Sequence, residues 1–233
     1  MNRALLFLLL APIALAQTKS THDLGAAKLL VASRELADPN FTKTVILLIH
    51  DDGDKVLGLI LNRRTDVPLS SALPALKAAK GRDDRIYTGG PVDASTVFAM
   101  LQSSTRVEGA PRVFDDVYLI LTRKLLEQNV ASRRDPGVFH VYLGYAGWTT
   151  DQLKREVELG AWFVFPADAA AVFDSDPDAL WPRMIRKTEQ RSAFCRCGAR
   201  DAIQHHIGSL LKFANAAHLV ALFPRFSGSE GAR

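Results

Sequence analysis

The sequence predicts an α+β fold in which helices flank a mixed β-sheet. Short apolar, β-branched runs are interspersed with segments of helical periodicity, and hairpins mix with helical crossovers. Strands and helices therefore do not alternate strictly, as they do in a doubly wound parallel sheet. The 233 residues are 48% hydrophobic and 23% charged, which is typical of a folded globular protein and not of a disordered one.

The first part of the domain is predicted to form a strand and then a β-hairpin. Residues 28–33 form the strand, and the turn residues Asp38-Pro39-Asn40 follow it. Residues 44–49 and 55–62 are apolar runs joined by Asp51-Asp52-Gly53-Asp54, a combination that predicts an antiparallel pair. Both runs are apolar at consecutive positions, so we expect the hairpin to be covered on both faces.

The middle of the chain mixes helices with strands. Ser70 or Ser71 is the predicted N-cap of a short helix ending at Ala79, with Pro74 near its first turn. Thr122 is the predicted N-cap of a second helix. This helix covers residues 123–129, and the strands cover residues 86–88, 97–102 and 117–121.

The last part of the domain contains one more pair of strands and three helices. In the strand over residues 138–143, Phe139, Val141 and Leu143 fall on one face. Thr149 or Thr150 opens the next helix. That helix covers residues 151–159, a buried strand covers residues 161–165, and two short helices cover residues 168–173 and 178–186.

Five short segments occur in a fixed order: Asp38-Pro39-Asn40-Phe41, Gly58-Leu59-Ile60-Leu61-Asn62-Arg63, Gly89-Gly90-Pro91, Gly144-Tyr145-Ala146-Gly147-Trp148, and Ala161-Trp162 leading to Phe173-Asp174. Taken together they resemble the AlgH/YqgE family of bacterial proteins, over residues 24–187. The resemblance implies a strongly bent sheet, partly closed like a barrel. It implies no defined activity, because most family members are described as uncharacterised and one branch is called a transcriptional regulator.

The first 16 residues have the pattern of a secretory signal peptide. Arg3 precedes an apolar run from Ala4 to Leu15, and Ala14-Leu15-Ala16 is a small-residue cleavage site before Gln17. The run is shorter than the roughly 20 residues of a membrane-spanning helix. We therefore expect export to the periplasm. The alternatives are a buried N-terminal helix or strand, and the cytoplasmic location that the family resemblance implies.

Residues 188–233 form a basic C-terminal extension with no counterpart in the resemblance. A helix is predicted over residues 202–223. Its apolar face consists of Ile203, Ile207, Leu210, Leu211, Ala214, Ala217 and Ala221. This face is expected to dock on the core or on a second subunit, which would give a homo-oligomer. A membrane surface is a weaker alternative, because Lys212 is the only lysine in the helix and interfacial helices are rich in basic residues.

The net charge of +4 does not indicate a nucleic-acid partner. Residues 191–233 contain six basic and two acidic residues, so the remaining 190 residues are neutral, with 23 of each sign. Nucleic-acid binding requires clustered lysines and arginines, and the core offers only Arg63-Arg64 and Arg133-Arg134. A small molecule or another protein is the expected partner.

The two cysteines lie in the extension. Cys195 and Cys197 are too close in sequence for an easy disulfide. Together with His205 and His206 they are weak zinc candidates, but adjacent histidines point to different faces of a helix and the spacing matches no standard finger. We therefore predict no metal and no cofactor.

Asn62 and Arg63 are the first candidate ligand contacts. They end a buried strand, where side chains often line a crevice, and a guanidinium suits a carboxylate or phosphate. The alternative is structural, with Asn62 capping the turn and Arg63 paired with an acidic neighbour such as Asp66.

The other candidates are glycines and aromatic residues. The backbone N–H groups of Gly89 and Gly90 could face an anion, although a structural turn is favoured. Tyr145 and Trp148 could form the wall of a pocket, and the favoured alternative is that Trp148 packs the following helix against the sheet.

The sequence contains no assembled catalytic motif. It has neither a Gly-x-Ser-x-Gly elbow nor a His-Glu-x-x-His pair, and His50 and His140 are interpreted as structural. The first hypothesis is therefore a non-enzymatic binding or regulatory domain. The alternatives are a small-molecule hydrolase or other enzyme with a cleft near Asn62, Arg63 and Gly89-Gly90, and the transcriptional regulator that the family label implies, which export would contradict.

Overall fold

The computed structural model describes residues 26–51 and 54–196, and the side chains of residues 26–50 and 54–189. The strands in this part are β1 (Lys28–Ala32), β2 (Val45–Asp51), β3 (Lys55–Ile60), β4 (Arg64–Pro68), β5 (Arg85–Thr88), β6 (Val92–Gln102), β7 (Arg112–Phe114), β8 (Val117–Ile120), β9 (Phe139–Thr149) and β10 (Trp162–Pro166). The α-helices are α1 (Leu69–Ala72), α2 (Arg123–Ala131), α3 (Thr150–Glu158), α4 (Ala169–Val172) and α5 (Pro177–Arg196). Within the described residues, no helix is both long and apolar enough to cross a membrane.

The ten strands form one strongly curled sheet that closes into a half-barrel. The main order is β10-β1-β2-β3-β9-β6-β8-β7, and β5 lies beside β9 with β4 outside it. Strand β5 runs parallel to β9, whereas the other recorded pairings are antiparallel. The predicted α+β class and the bent, mixed sheet are therefore confirmed, as is the β2–β3 hairpin.

Strand β9 lies at the centre of the molecule and separates two apolar clusters. Phe139 and Val141 face a cluster built with α2 and with the segment around α1. Tyr142 faces the larger cluster, which lies against α5 through residues such as Trp181 and Ile185. This alternation follows from the two-residue period of a strand. Helices thus cover the sheet, and the residues from 140 onward in β9 are placed deep inside it.

Two helix starts were predicted at the correct residues. The hydroxyl of Thr122 accepts a hydrogen bond from Leu125 N, and that of Thr149 accepts one from Gln152 N. Each hydroxyl thereby satisfies an N–H that would otherwise have no partner inside the first turn of its helix.

The predicted helix from Ser70 to Ala79 was wrong in its length. The chain forms α1 and then a separate 3-10 turn, Lys77–Ala79. Leu73, which precedes Pro74, has φ −123° and ψ 62°, because the proline ring disfavours helical geometry in the residue before it.

Strands β4 and β7 were missed, and β9 is longer than predicted. Strand β4 has the sequence Arg-Thr-Asp-Val-Pro, which lacks an apolar alternation, and it is held by pairing with β5. Strand β9 continues from Leu143 through Gly144 to Thr149 because β3 pairs with its second half. Helix α5 also runs beyond the predicted end at Arg186 to Arg196.

Candidate functional site

The glycines of two motifs meet where β5 reaches the middle of β9. A Cβ atom on Gly89 would lie 2.3 Å from the carbonyl oxygen of Gly144, and one on Gly90 would lie 2.1 Å from the carbonyl carbon of Tyr145. Gly144 itself has φ +71°, which favours glycine. Gly89 N donates to Leu143 O at 2.8 Å, so this N–H is already used inside the sheet. The two motifs thus allow two backbones to approach closely.

Asn62 holds the start of β2. Its Oδ1 accepts from Val45 N at 2.8 Å, and its Nδ2 donates to Lys43 O at 2.9 Å. Lys43 has φ +55°, so these two hydrogen bonds hold a turn that the backbone alone disfavours. The side-chain amide therefore has structural partners on both of its polar atoms.

Arg63 contacts the loop that contains Asp38-Pro39. Its Nη2 donates to Pro39 O at 3.1 Å, and the side chain is half-buried. Burial lowers the pKa of Arg63, and the nearby carboxylate of Asp38 counteracts this effect. The acidic neighbour is thus Asp38, and no hydrogen bond or ion pair of Arg63 with Asp66 is found among the described side chains.

Trp148 belongs to an aromatic cluster with Phe41 and Trp162. The ring of Phe41 stacks on Trp148 at 5.5 Å between centroids, and Trp162 meets both rings edge-on at 5.7 and 6.0 Å. Glu156 of α3 accepts hydrogen bonds on Oε2 from Trp148 Nε1 at 3.1 Å and Trp162 Nε1 at 2.8 Å. The carboxylate therefore ties α3 to β9 and β10. Sequence analysis missed Glu156, although the i, i+4 spacing to Gln152, which also donates to it, was visible.

Tyr145 lies beside an irregularity in β6. Residues 93–96 are inserted between the pairs Val92↔Tyr145 and Val97↔Leu143, and Asp93 has φ +39°. Burial raises the pKa of Tyr145, and the carboxylate of Asp93 adds to the effect. Tyr145 packs edge-on against Phe98 and remains half-buried, so part of its ring is open to a ligand.

A second group of polar residues, the tyrosine–histidine cluster, consists of Tyr87, His140 and Tyr142. The Tyr87 hydroxyl lies 3.4 Å from His140 Nε2 and the Tyr142 hydroxyl lies 3.5 Å from His140 Nδ1, both long for hydrogen bonds. The ring of Tyr87 also stacks on His140 at 4.5 Å, and Phe173 approaches the imidazole from the α4–α5 connection at 5.3 Å. All of these side chains are buried.

Burial controls the protonation of this cluster. It lowers the pKa of His140 to about 4; backbone hydrogen bonds at Val172 and Pro136 partly oppose the shift, and Arg64 adds to it. His140 is therefore neutral at pH 7. Burial also raises the pKa of Tyr142 and of Tyr87, so both phenols keep their protons.

Charged residues surround the outer side of Tyr87. We call them the charged rim: Arg64, Asp174, Asp178 and Arg183. Arg64 is paired with Tyr87 across β4 and β5, and its charge lowers the pKa of Tyr87 whereas Asp174 and Asp178 raise it. Arg183 forms an ion pair with Asp174. Arg64 is exposed and has no hydrogen bond or ion pair to any side chain that the structure describes. Only Asp174 of the rim belongs to one of the five motifs, so sequence analysis did not find this site.

The structure brings together the backbones of four of the six predicted ligand contacts. Arg63 O accepts from Thr88 N, and Gly89 O accepts from Ile60 N, which places Asn62-Arg63 beside Gly89-Gly90. Of the six residues, Arg63 and Tyr145 are half-buried and do not have all polar atoms engaged by described partners. These two remain candidates for ligand contact.

The zinc candidates lie outside the described side chains. Cys195 is part of α5 but only its backbone is described, and Cys197, His205 and His206 lie beyond Arg196. In the part of the chain with described side chains, no three His, Cys, Asp or Glu residues are grouped closely enough to hold a metal ion.

The sequence matches a known family over most of its length. Residues 29–193 match the DUF179 family, which is described as AlgH-like. A UPF0301 protein of Streptomyces avermitilis is 34% identical over 175 residues, covering 71% of this chain and 88% of that protein. A UPF0301 protein of Azoarcus sp. is 33% identical over 164 residues, covering 67% and 87%. The resemblance predicted from the five motifs is confirmed.

Solved structures share the fold. The AlgH protein from Pseudomonas aeruginosa is similar with a TM-score of 0.54 and 27% identity, over 77% of this chain and 95% of that chain. A protein from Corynebacterium diphtheriae is similar with a TM-score of 0.57 and 22% identity, over 71% and 88%. The second likeness concerns the fold alone. None of these names states an activity or a ligand.

Proposed function

The chain belongs to the AlgH-like family, and from that premise we propose that it is a binding domain that holds a ligand without converting it. The ligand is a small molecule carrying a carboxylate or a phosphate, and its anionic group binds Arg64 in the charged rim. Arg63 and Tyr145 are the two motif residues with exposed atoms that can extend this surface.

The unpaired guanidinium of Arg64 carries the proposal. It lies next to the buried Tyr87 and is the one arginine of the rim without an acidic partner among the described side chains, because Arg183 is paired with Asp174. An arginine fork forms two parallel hydrogen bonds with a carboxylate or phosphate. Asp178 lies on the opposite side of Tyr87 in sequence and carries the opposite charge, which favours ligands that also contain a donor group.

The state of His140 supports binding over catalysis. A general base works best when its pKa is near the working pH, and burial holds the pKa of His140 near 4. Both ring nitrogens also face tyrosine hydroxyls, so neither is directed at a substrate. The polar atoms of Asn62 and Glu156 are likewise used to hold the fold.

A binding screen on the full chain tests this proposal. The probes are small carboxylates and phosphate monoesters, followed by thermal shift and by NMR, and each probe is recovered and weighed by mass spectrometry. We expect at least one probe to bind and to be recovered unchanged. Arg64→Gln should weaken its binding about tenfold or more, because a hydrogen-bonded charge contributes about 1.5–3 kcal/mol.

The matched control is Arg106→Gln. Arg106 is also exposed and without a described partner, but it lies in the connection between β6 and β7. This variant should bind like the wild type. Chemical conversion of a bound probe that is lost in Tyr87→Phe would favour the enzyme alternative, and equal binding by Arg64→Gln and wild type would place the ligand elsewhere.

A further inference from the structure

One corner of the sheet exposes two large apolar side chains. Leu159, just after α3, is 70% exposed, and Phe163 in β10 is 37% exposed. We call these two residues and the open side of β10 the β10 corner. Among the described residues, β10 pairs only with β1, so its other side is an edge of the sheet.

This edge lacks the usual protection in its own sequence. Strand β10 is Trp-Phe-Val-Phe-Pro, with no charged residue. Proteins protect edge strands with lysines, bulges or prolines, or they cover the edge with a helix or loop. Pro166 protects only the last position of β10. A covering segment is therefore expected, and the remaining question is which segment supplies it.

Helix α5 passes the end of β1 that adjoins this corner. Trp181 Nε1 donates to Ala32 O at 2.8 Å, and Glu189 accepts from Arg34 Nη2 at 2.8 Å. Ser33 N in turn donates to Ala161 O at 2.9 Å, between Leu159 and Phe163. The last described part of the chain thus lies next to the end of β1 from which β10 starts.

The chain beyond α5 is long enough to reach the corner. After Glu189, α5 continues for about 10 Å to Arg196, at about 1.5 Å per residue. Residues 197–201 then span up to about 17 Å when extended. A helix over residues 202–223 would be about 33 Å long, and its predicted apolar face requires a cover of its own.

We propose that residues 202–223 dock on the β10 corner of the same chain. The apolar face around Ile207, Leu210 and Leu211 covers Leu159 and Phe163 and shields the open side of β10. Docking within one chain is favoured over docking on a second copy, because a short linker gives an effective concentration on the order of millimolar. The extension then acts as a cover for the sheet edge.

Disulfide trapping in the full chain tests this contact. In a background of Cys195→Ser and Cys197→Ser, Leu159→Cys is combined with Leu210→Cys. The control combines Leu210→Cys with Leu121→Cys, because Leu121 is also exposed, at 51%, but follows β8 near the opposite edge of the sheet. We expect the 159–210 disulfide to form within the monomer at least about tenfold faster than the 121–210 disulfide.

A second measurement does not depend on the introduced cysteines. In the full chain, amide hydrogen exchange of residues 207–217 should be slow, and the double variant Leu159→Asp, Phe163→Asp should accelerate it by about tenfold or more. The variant Leu121→Asp should leave it unchanged. Equal trapping rates at positions 159 and 121, a disulfide-linked dimer in place of the monomer, or exchange that the double variant does not alter would each overturn the proposal.

Discussion

Gly90 shows how strongly one residue constrains the sheet. In Gly90→Ala the new Cβ would lie 2.1 Å from the carbonyl carbon of Tyr145, where neither backbone has room to move. We expect this variant not to fold, measured by the loss of the cooperative unfolding transition in circular dichroism. Gly81→Ala is the control: Gly81 has φ +73° with no atom within 4 Å of the new Cβ, so it should lose only about 1–2 kcal/mol. A folded Gly90→Ala protein would show that the crossing is not tight.

Trp148 is expected to stabilise the fold and not to bind ligand. It is 1% exposed and contacts Phe41, Trp162 and Glu156. Trp148→Ala should therefore lower the free energy of unfolding by about 3–5 kcal/mol, measured by urea denaturation. Leu121→Ala, a change at an exposed apolar residue, should cost less than about 1 kcal/mol. Unchanged stability with lost ligand binding in Trp148→Ala would indicate a functional role instead.

His140 should make the stability of the protein depend on pH. Its pKa is about 4 in the folded chain, against 6.5 for an unperturbed histidine, so the unfolded chain binds more protons between these values. The contribution is fully present above pH 6.5 and is lost as the pH falls to about 4, a decrease of about 3 kcal/mol. Unfolding free energies of wild type and His140→Gln, measured across this range, should differ in slope. Parallel curves would contradict the prediction.

At the scale of elements, α5 is the one that crosses the expected domain boundary. Thr188 is buried, with its hydroxyl donating to Ile185 O, and Glu189 pairs with Arg34. Both partners of that ion pair are about half exposed, so it contributes less than about 1 kcal/mol. The boundary at residue 187 therefore remains a prediction.

Two truncations test this boundary. Chains ending at residues 187 and 196 should both fold, because neither loses a described strand, and the shorter one should be less stable by about 1–2 kcal/mol since it loses buried contacts of the helix end. Circular dichroism and urea denaturation measure the difference. If only the longer chain folds, the helix end belongs to the core and the domain extends past residue 187.

At the scale of the whole molecule, the proposed export sets where the protein acts. We expect the mature chain to begin at Gln17 and to be found outside the cytoplasm, because Ala14-Leu15-Ala16 follows a short apolar run. N-terminal sequencing of the protein from separated cell fractions measures this. Cytoplasmic protein that begins at Met1 or Asn2 would end the claim.

The sequence by itself determined the features that depend on neighbouring residues. The five motifs gave the family, the mixed pattern of runs gave the α+β class, and Thr122 and Thr149 marked helix starts, because a cap bonds only two or three residues away. The β2–β3 hairpin was predicted for the same reason, since its turn is short and its strands are adjacent.

Only the tertiary structure decided how distant residues meet. Strand β9 continues past Gly144 because β3 pairs with it, Glu156 joins two tryptophans from different strands, and His140 is neutral because Tyr87 and Phe173 bury it. These contacts join residues far apart in the chain, and local patterns do not specify which strands pair. Burial then sets the charge of a group such as His140, so its chemistry follows from the packing and not from the residue type alone.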